Sequence, residues 1–124
     1  MLKIIVNQKA ISLNNAYPLG KHGRRYLTKK GKEFKEAVRT ITYLYSKEIK
    51  KIKSTSKDDK YSVMITFVFK DKRRRDIDDY FKLCIDALTG IIWQDDSQIY
   101  QLIGTKIQPA LKDCIIINIF KNII

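Results

Sequence analysis

Apolar and polar positions along the chain follow two different periods, and the switches between them divide it into elements. From Tyr61 to Lys70 the residues alternate, with Tyr61, Val63, Ile65, Phe67 and Phe69 on one face and Ser62, Met64, Thr66 and Val68 on the other. A period of two is that of a strand buried mainly on one side. Between Gly31 and about Lys53, the residues Phe34, Val38, Ile41, Tyr45, Ile49 and Ile52 recur at steps of three and four. That spacing predicts one amphipathic helix with these residues in the core and a basic outer face. The same spacing returns from Asp76 to Leu88 through Ile77, Phe81, Cys84 and Leu88, and Thr89-Gly90 marks its end. Residues 2–7 predict a first strand, and Ile99 to Ile107 and Asp113 to Lys121 predict two more, joined as a hairpin across Gln108 to Lys112. Gln8 to Lys30 shows neither period and reads as a loop, Ser54 to Lys60 as a polar connector, and Gln94 to Ser97 as a turn. The order strand, helix, strand, helix, strand, strand predicts an α+β fold, a single small domain over residues 1–124 with a mixed β-sheet and helices packed on it.

Composition narrows this further. At 124 residues there is room for one core, and a hydrophobic fraction of 44% excludes disorder as the main state. Apolar runs such as Cys114 to Ile117 are far shorter than the roughly 18 residues of a membrane span. The start, Met1 to Asn7, lacks the basic region, long apolar run and cleavage site of a secretory signal, so a cytoplasmic protein is expected. Cys84 and Cys114 lie inside apolar segments, away from metal-ligand or disulfide spacing, and are expected as reduced core residues.

Charge changes the picture more. Lys and Arg number 25 against 13 Asp and Glu, a net charge of +12, which points to a polyanionic partner and first to nucleic acid. The bases concentrate in Lys70-Asp71-Lys72-Arg73-Arg74-Arg75, and Lys21, Arg24, Arg25, Lys29 and Lys30 stud the polar segment upstream. Directly after the first cluster, Asp76, Asp78, Asp79, Asp86, Asp95 and Asp96 face a single base, Lys82. Carboxylates beside phosphate contacts would repel a nucleic acid unless a cation bridges the two.

Asp76, Asp78 and the Asp95-Asp96 pair are accordingly candidate ligands of a hard divalent cation, which favours carboxylate, phosphate and water oxygens. Such a cation activates water and neutralises charge on a scissile phosphate. These acids converge only if the chain after Gly90 runs back along the preceding helix. A second account fits the same residues. Asp76 suits a helix N-cap, Asp79 follows it at capping-box spacing, and Asp95-Asp96-Ser97 makes an ordinary turn. Lys82 shares a helix face with Asp78 and Asp86, as an electrostatic stabiliser or as half of an ion pair. His22, the only histidine, is a weak candidate base in a solvated segment, and Trp93 is expected as a core anchor.

Arg73-Arg74-Arg75-Asp76-Ile77-Asp78-Asp79, then Lys82, then Asp86-Ala87-Leu88-Thr89, then Trp93-Gln94-Asp95-Asp96-Ser97-Gln98 closely resembles the central motif of the RusA family of Holliday junction resolvases. Asn14-Asn15, Arg24-Arg25 and Tyr26-Leu27-Thr28 are similar to that family's N-terminal segment, and Lys106 falls where a lysine follows the acidic turn. The resemblance implies a homodimeric, Mg²⁺-dependent endonuclease, with Mn²⁺ as a substitute. Such an enzyme binds branched DNA, four-way junctions above all, and nicks two opposing strands symmetrically, in recombination and repair. By the same resemblance Asp76, Asp78 and Asp96 are the catalytic, metal-binding acids, Lys82 the essential lysine, and Arg75 a basic residue supporting DNA binding beside the site. Lys72, Arg73, Arg74, Arg24, Arg25 and Lys106 are expected as further DNA contacts. Asp79 departs from the pattern, standing where the family often has Asn, and Thr89 to Trp93 is one residue shorter than in some relatives. Two other readings stay open: a DNA-binding protein without catalysis, its acids serving as caps, and a nuclease acting on forks or flaps.

Overall fold

The computed structural model describes residues 1–123, in which four strands form one sheet: β1 (Leu2–Val6), β2 (Tyr61–Val68), β3 (Ile99–Ile107) and β4 (Cys114–Lys121). Their order across the sheet is β1-β4-β2-β3, with β4 antiparallel to β1 and β2, and β2 parallel to β3. The α+β domain with a mixed sheet is as expected, but the β3–β4 hairpin is not formed. Residues 108–113 instead carry the chain past the end of β2, where the Asp113 carboxylate accepts a hydrogen bond from the Lys70 N–H (2.8 Å). The side chains explain the choice. β4 carries isoleucine at 115, 116, 117 and 119, apolar on both faces, and belongs between two strands. β3 leaves Tyr100, Gln101, Leu102 and Ile103 exposed and suits an edge.

Four helices complete the fold: α1 (Leu13–Ala16), α2 (Lys29–Thr42), α3 (Ser46–Ile52) and α4 (Phe81–Leu88). The core takes strand residues from one sheet face alone, including Ile4, Ile117, Ile65, Phe67 and Ile115, and joins them to Phe34, Val38 and Ile49 of α2 and α3 and to Leu83, Cys84 and Leu88 of α4. Trp93 is the expected core anchor, fully buried and edge-on to Tyr61 with 5.7 Å between ring centroids. Both cysteines are free and buried, and burial pushes the Cys84 thiol up to about 12.

Three sequence expectations are corrected. The helix expected from Gly31 to Lys53 begins at Lys29, where the Thr28 hydroxyl caps it by accepting from the Gly31 N–H (3.1 Å), and it breaks at a 3-10 turn over Tyr43–Tyr45. The break lets the Tyr45 hydroxyl accept from the Ile5 N–H (3.2 Å), so the second half follows the edge of the sheet. The segment from Gln8 to Lys30, which reads as a loop, is ordered by buried Ala10, Ile11 and Ala16 and contains the single turn of α1. The helix expected over Asp76 to Leu88 is a 3-10 turn, Ile77–Tyr80, leading into α4.

That 3-10 turn rests on β3 at Gly104. A methyl group there would strike the Phe81 ring and come within 2.7 Å of Ile77 Cγ2. Only a residue without a side chain lets Ile77 and Phe81, which bracket Asp78 and Asp79, sit down on the strand. Gly104→Val should cost about 1–3 kcal/mol by overpacking, and lift the acidic turn off the sheet. Urea denaturation measures the first effect, and the amide chemical shifts of Asp76 to Tyr80 report the second.

Candidate active site

The acids of the central motif fall into two groups with different roles. Carboxylate oxygens of Asp76, Asp78 and Asp79 lie within 4.8 Å of one another, and all three residues are exposed. Asp76 precedes the 3-10 turn with extended backbone and its side chain caps nothing. Among the described residues, none of these three side chains takes part in a hydrogen bond to protein or an ion pair, so the capping account does not explain them. Asp95 does cap: its carboxylate accepts from the Ser97 N–H (3.2 Å), and the Ser97 hydroxyl together with this N–H holds it below the ordinary carboxylate range. Gln98 completes that capping box from the other side.

β3 and the basic cluster together fix where the three acids stand. The Lys106 ammonium donates to the Arg75 carbonyl (2.6 Å), and the Gln108 amide to the Arg73 carbonyl (3.0 Å). Arg75 itself turns inward. Its guanidinium is 7% exposed, makes two hydrogen bonds to Asp71 (2.6 and 3.1 Å), and stacks on Phe69 with its carbon 4.1 Å from the ring centroid. The Arg75 guanidinium beside it holds the Asp71 carboxyl well below the usual range. Arg75 and Lys106 are expected from the sequence as DNA contacts, yet their charged groups serve the loop that presents Asp76. Arg73, Arg74, Lys72, Arg24 and Arg25 are exposed, with Arg25 also donating to the Tyr17 carbonyl (2.7 Å).

Lys82 stands in the first turn of α4 and pairs with Asp86 (3.2 Å) one turn along and with Asp96 (3.8 Å) from the far side of the helix end. The chain after Gly90 therefore does come back beside the helix. Gly90 makes the reversal with a positive φ of 88°, and its N–H donates to the Trp93 carbonyl (2.7 Å). Asp96 lies outside the Asp76, Asp78 and Asp79 group and is half-exposed beside Lys82. Asp86, expected as a structural partner of Lys82, also accepts from the Tyr17 hydroxyl (2.6 Å), and burial with this bond raises the Tyr17 pKa. His22 is exposed in a tight turn, with φ of 64°, and no hydrogen bond or ion pair ties it to the acids among the described residues.

Sequence reasoning passes over the network that fixes the second acidic group. Gln98, buried, accepts from the Gln94 N–H (2.7 Å) and donates to the Ser54 hydroxyl (3.1 Å) and the Ser56 carbonyl (2.9 Å). The connector it grips is closed by Asp59, whose carboxylate accepts from the Thr55 and Ser56 N–H groups (2.9 and 3.1 Å) and pairs with Lys121 (3.5 Å). These bonds, the Thr55 N–H foremost, lower the Asp59 pKa to about 2. No periodicity marks such residues. Their one signal is a Gln directly after an acidic turn and an Asp three residues after Ser56.

Three exposed carboxylates so close together form a hard-oxygen donor set, which suits Mg²⁺, Mn²⁺ or Ca²⁺ and not a softer thiolate-seeking ion. Compared with known families, the chain matches the model described as Endodeoxyribonuclease RusA over residues 9–119. No curated protein matches it.

The Asp59 network makes a pH prediction. Its folded-state pKa lies below that of the unfolded chain, so its stabilisation is complete above about pH 4 and is lost as pH falls toward 2. Asp59→Asn should lower the urea midpoint at pH 7, and the gap from the unsubstituted protein should narrow steadily as pH falls from about 4 toward 2.

Proposed function

The chain belongs to the RusA family of endodeoxyribonucleases, hydrolases of DNA phosphodiester bonds that act on branched DNA, and from that premise we propose that it is a divalent-cation-dependent resolvase of four-way junctions. The observation that carries the cation is the trio Asp76, Asp78 and Asp79, carboxylates gathered within 4.8 Å with no hydrogen-bond or ion-pair partner among the described residues, in a chain of net charge +12. With lysine and arginine so plentiful, three acids left unpaired beside a run of bases fit a site completed by a cation and a phosphate. When bound there, Mg²⁺, with Mn²⁺ as a substitute, supplies Lewis acidity toward the phosphoryl oxygen and lowers the pKa of water.

The protein's own groups divide the remaining work. Asp76 and Asp78 hold the cation together with Asp79, which adds one charge more than the usual family pattern provides. Asp96 is the further acid: its pairing with Lys82 is long and half-exposed, so exchanging it for a cation costs little. Lys82, with one N–H on Asp86, presents its remaining donors from the first turn of α4, where they stabilise charge growing on the phosphate oxygens. Arg73, Arg74 and Lys72 grip backbone phosphates, with Arg24 and Arg25 on the N-terminal segment as further contacts. Arg75, Asp71 and Lys106 act as positioning residues for the loop.

A second copy completes the reading. The sheet face away from the core carries Ile5, Met64, Ile103 and Ile107, each between 38% and 47% exposed. Register places Ile5, Ile116, Thr66 and Thr105 in one uncharged row across all four strands. Two chains of +12 repel, and a face whose paired strand positions carry one charged residue, Lys3, is where they approach at least cost. A two-fold dimer there sets two sites against a junction of matching symmetry and allows paired nicks. We place the protein in the cytoplasm, acting in recombination and repair; none of the described helices is long and apolar enough to cross a membrane.

Asp78→Asn should reduce Mg²⁺-dependent nicking of a labelled four-way junction by about a thousandfold, the worth of several kcal/mol of transition-state stabilisation, while junction affinity in EDTA stays the same or rises. Wild-type turnover by this variant would remove Asp78 from the mechanism. Arg73→Ala with Arg74→Ala should flatten the log-log salt dependence of junction binding by about 0.9 for each phosphate that the variant no longer neutralises. Fluorescence anisotropy across a salt series reads that slope, and an unchanged slope would clear both arginines.

A further inference from the structure

A cavity of about 540 Å³ opens between the N-terminal segment and the basic cluster, within the range of pockets that take small organic ligands. Its walls combine three kinds of group. Lys30, Arg73 and Arg74 supply positive charge and have no ion pair among the described residues, while Glu33 is the single acid in the lining. Tyr80, partly exposed, gives it an aromatic, apolar surface, backed by the buried Ile11 and Phe34. Gln8 and Asn15 add amides, and Asn15 is exposed with its side chain hydrogen-bonded to nothing else among the described residues.

A surface that only followed a phosphate backbone would need the charge and would gain nothing from a concave apolar floor. A base needs the floor to stack on and amides to meet its polar edge, and its phosphate needs the charge. The cavity also sits beside the acids, since Arg75 and Tyr80 in its wall bracket Asp76, Asp78 and Asp79 along the chain. We propose that this cavity receives one unpaired nucleotide of the bound branched strand, next to the phosphodiester that is cut, with its base against the partly exposed Tyr80 ring and its phosphate on Lys30, Arg73 and Arg74. The cavity is then a specificity pocket that favours DNA able to release a nucleotide from its stack, as branch points do and uninterrupted duplex does not. This inference rests on the reading of the chain as a branched-DNA endonuclease.

The experiment is an abasic scan. A four-way junction with a fixed crossover carries a single abasic site at each position around the crossover in turn, and its affinity is measured by anisotropy in EDTA, so that cleavage plays no part. Asn15→Phe fills the cavity and leaves every charge in place; Asn15→Ala, which empties it further, guards against a folding defect of the larger residue. Loss of one base should weaken wild-type binding about tenfold at one position on the strand, the worth of one stacked base. Asn15→Phe should bind the intact junction about tenfold more weakly and show no further loss at that position, whereas Asn15→Ala should keep the sensitivity. A flat scan in wild type, with the junction still bound well above linear duplex, overturns the nucleotide pocket and leaves the endonuclease reading standing. Penalties that multiply in Asn15→Phe overturn it equally. A wild-type protein that does not prefer the junction to duplex refutes the branched-DNA reading, and the pocket falls with it.

Discussion

Everything at the acidic end of the molecule depends on the contact between Phe81 and the bare backbone of β3 at Gly104. Phe81 also meets Phe67 edge-on, with 5.5 Å between centroids, so one ring ties the first turn of α4 to two adjacent strands. The same strand then reaches forward, and Lys106 and Gln108 seize the carbonyls of Arg75 and Arg73. A loop of five bases and one acid would repel itself into extended forms if left alone. Here its backbone is pinned from β3, and its one inward guanidinium is neutralised by Asp71, so the charges that remain point outward where a polyanion can use them.

The electrostatics follow from that placement. Two carboxylates about 5 Å apart repel by roughly 0.8 kcal/mol even at the dielectric constant of water, and three make three such pairs. A structure free to relax would separate them or hand each a lysine, as happens to Asp59, Asp71, Asp86 and Asp96. Asp76, Asp78 and Asp79 are denied that relief because the 3-10 turn winds tightly over Ile77 and Tyr80, both packed inward. Repulsion held in this way is what a divalent cation would relieve, so that packing energy in the core would become affinity at the surface.

Much of this is legible in the sequence, and the reasons for the rest are physical. Alternation gives the faces of β2 correctly because one side is fully buried and the other, Ser62 apart, is at least partly open, so the pattern carries the answer. It cannot give strand order, since the isoleucines of β4 suit a hairpin edge and a central position equally until β3 is seen to be the more polar of the two. The spacing of Phe34 to Ile52 survives the break at Tyr43–Tyr45 because the core lies on the same side of both halves. The junction acids are legible as chemistry, but Asp79 reads as part of a cap and Arg75 as a phosphate contact. Charge alone does not reveal which way a side chain faces, and Phe69, six residues upstream, is what draws that guanidinium in.

Asp96 ties the second acidic turn to the helix that carries Lys82. Its turn is held by the buried Gln98 network, so its backbone cannot wander, while its carboxylate touches only an ammonium at 3.8 Å with both groups half in water. Exposed pairs of that kind are worth about 0–1 kcal/mol, whereas a carboxylate joining a divalent cation gains far more. On the proposal that Asp96 is a further acid of the cation site, a backbone held in place with a weakly engaged side chain is the arrangement such a residue needs. That proposal leaves Lys82 with a partner, because Asp86, steadied by the Tyr17 hydroxyl, keeps the closer pairing at 3.2 Å.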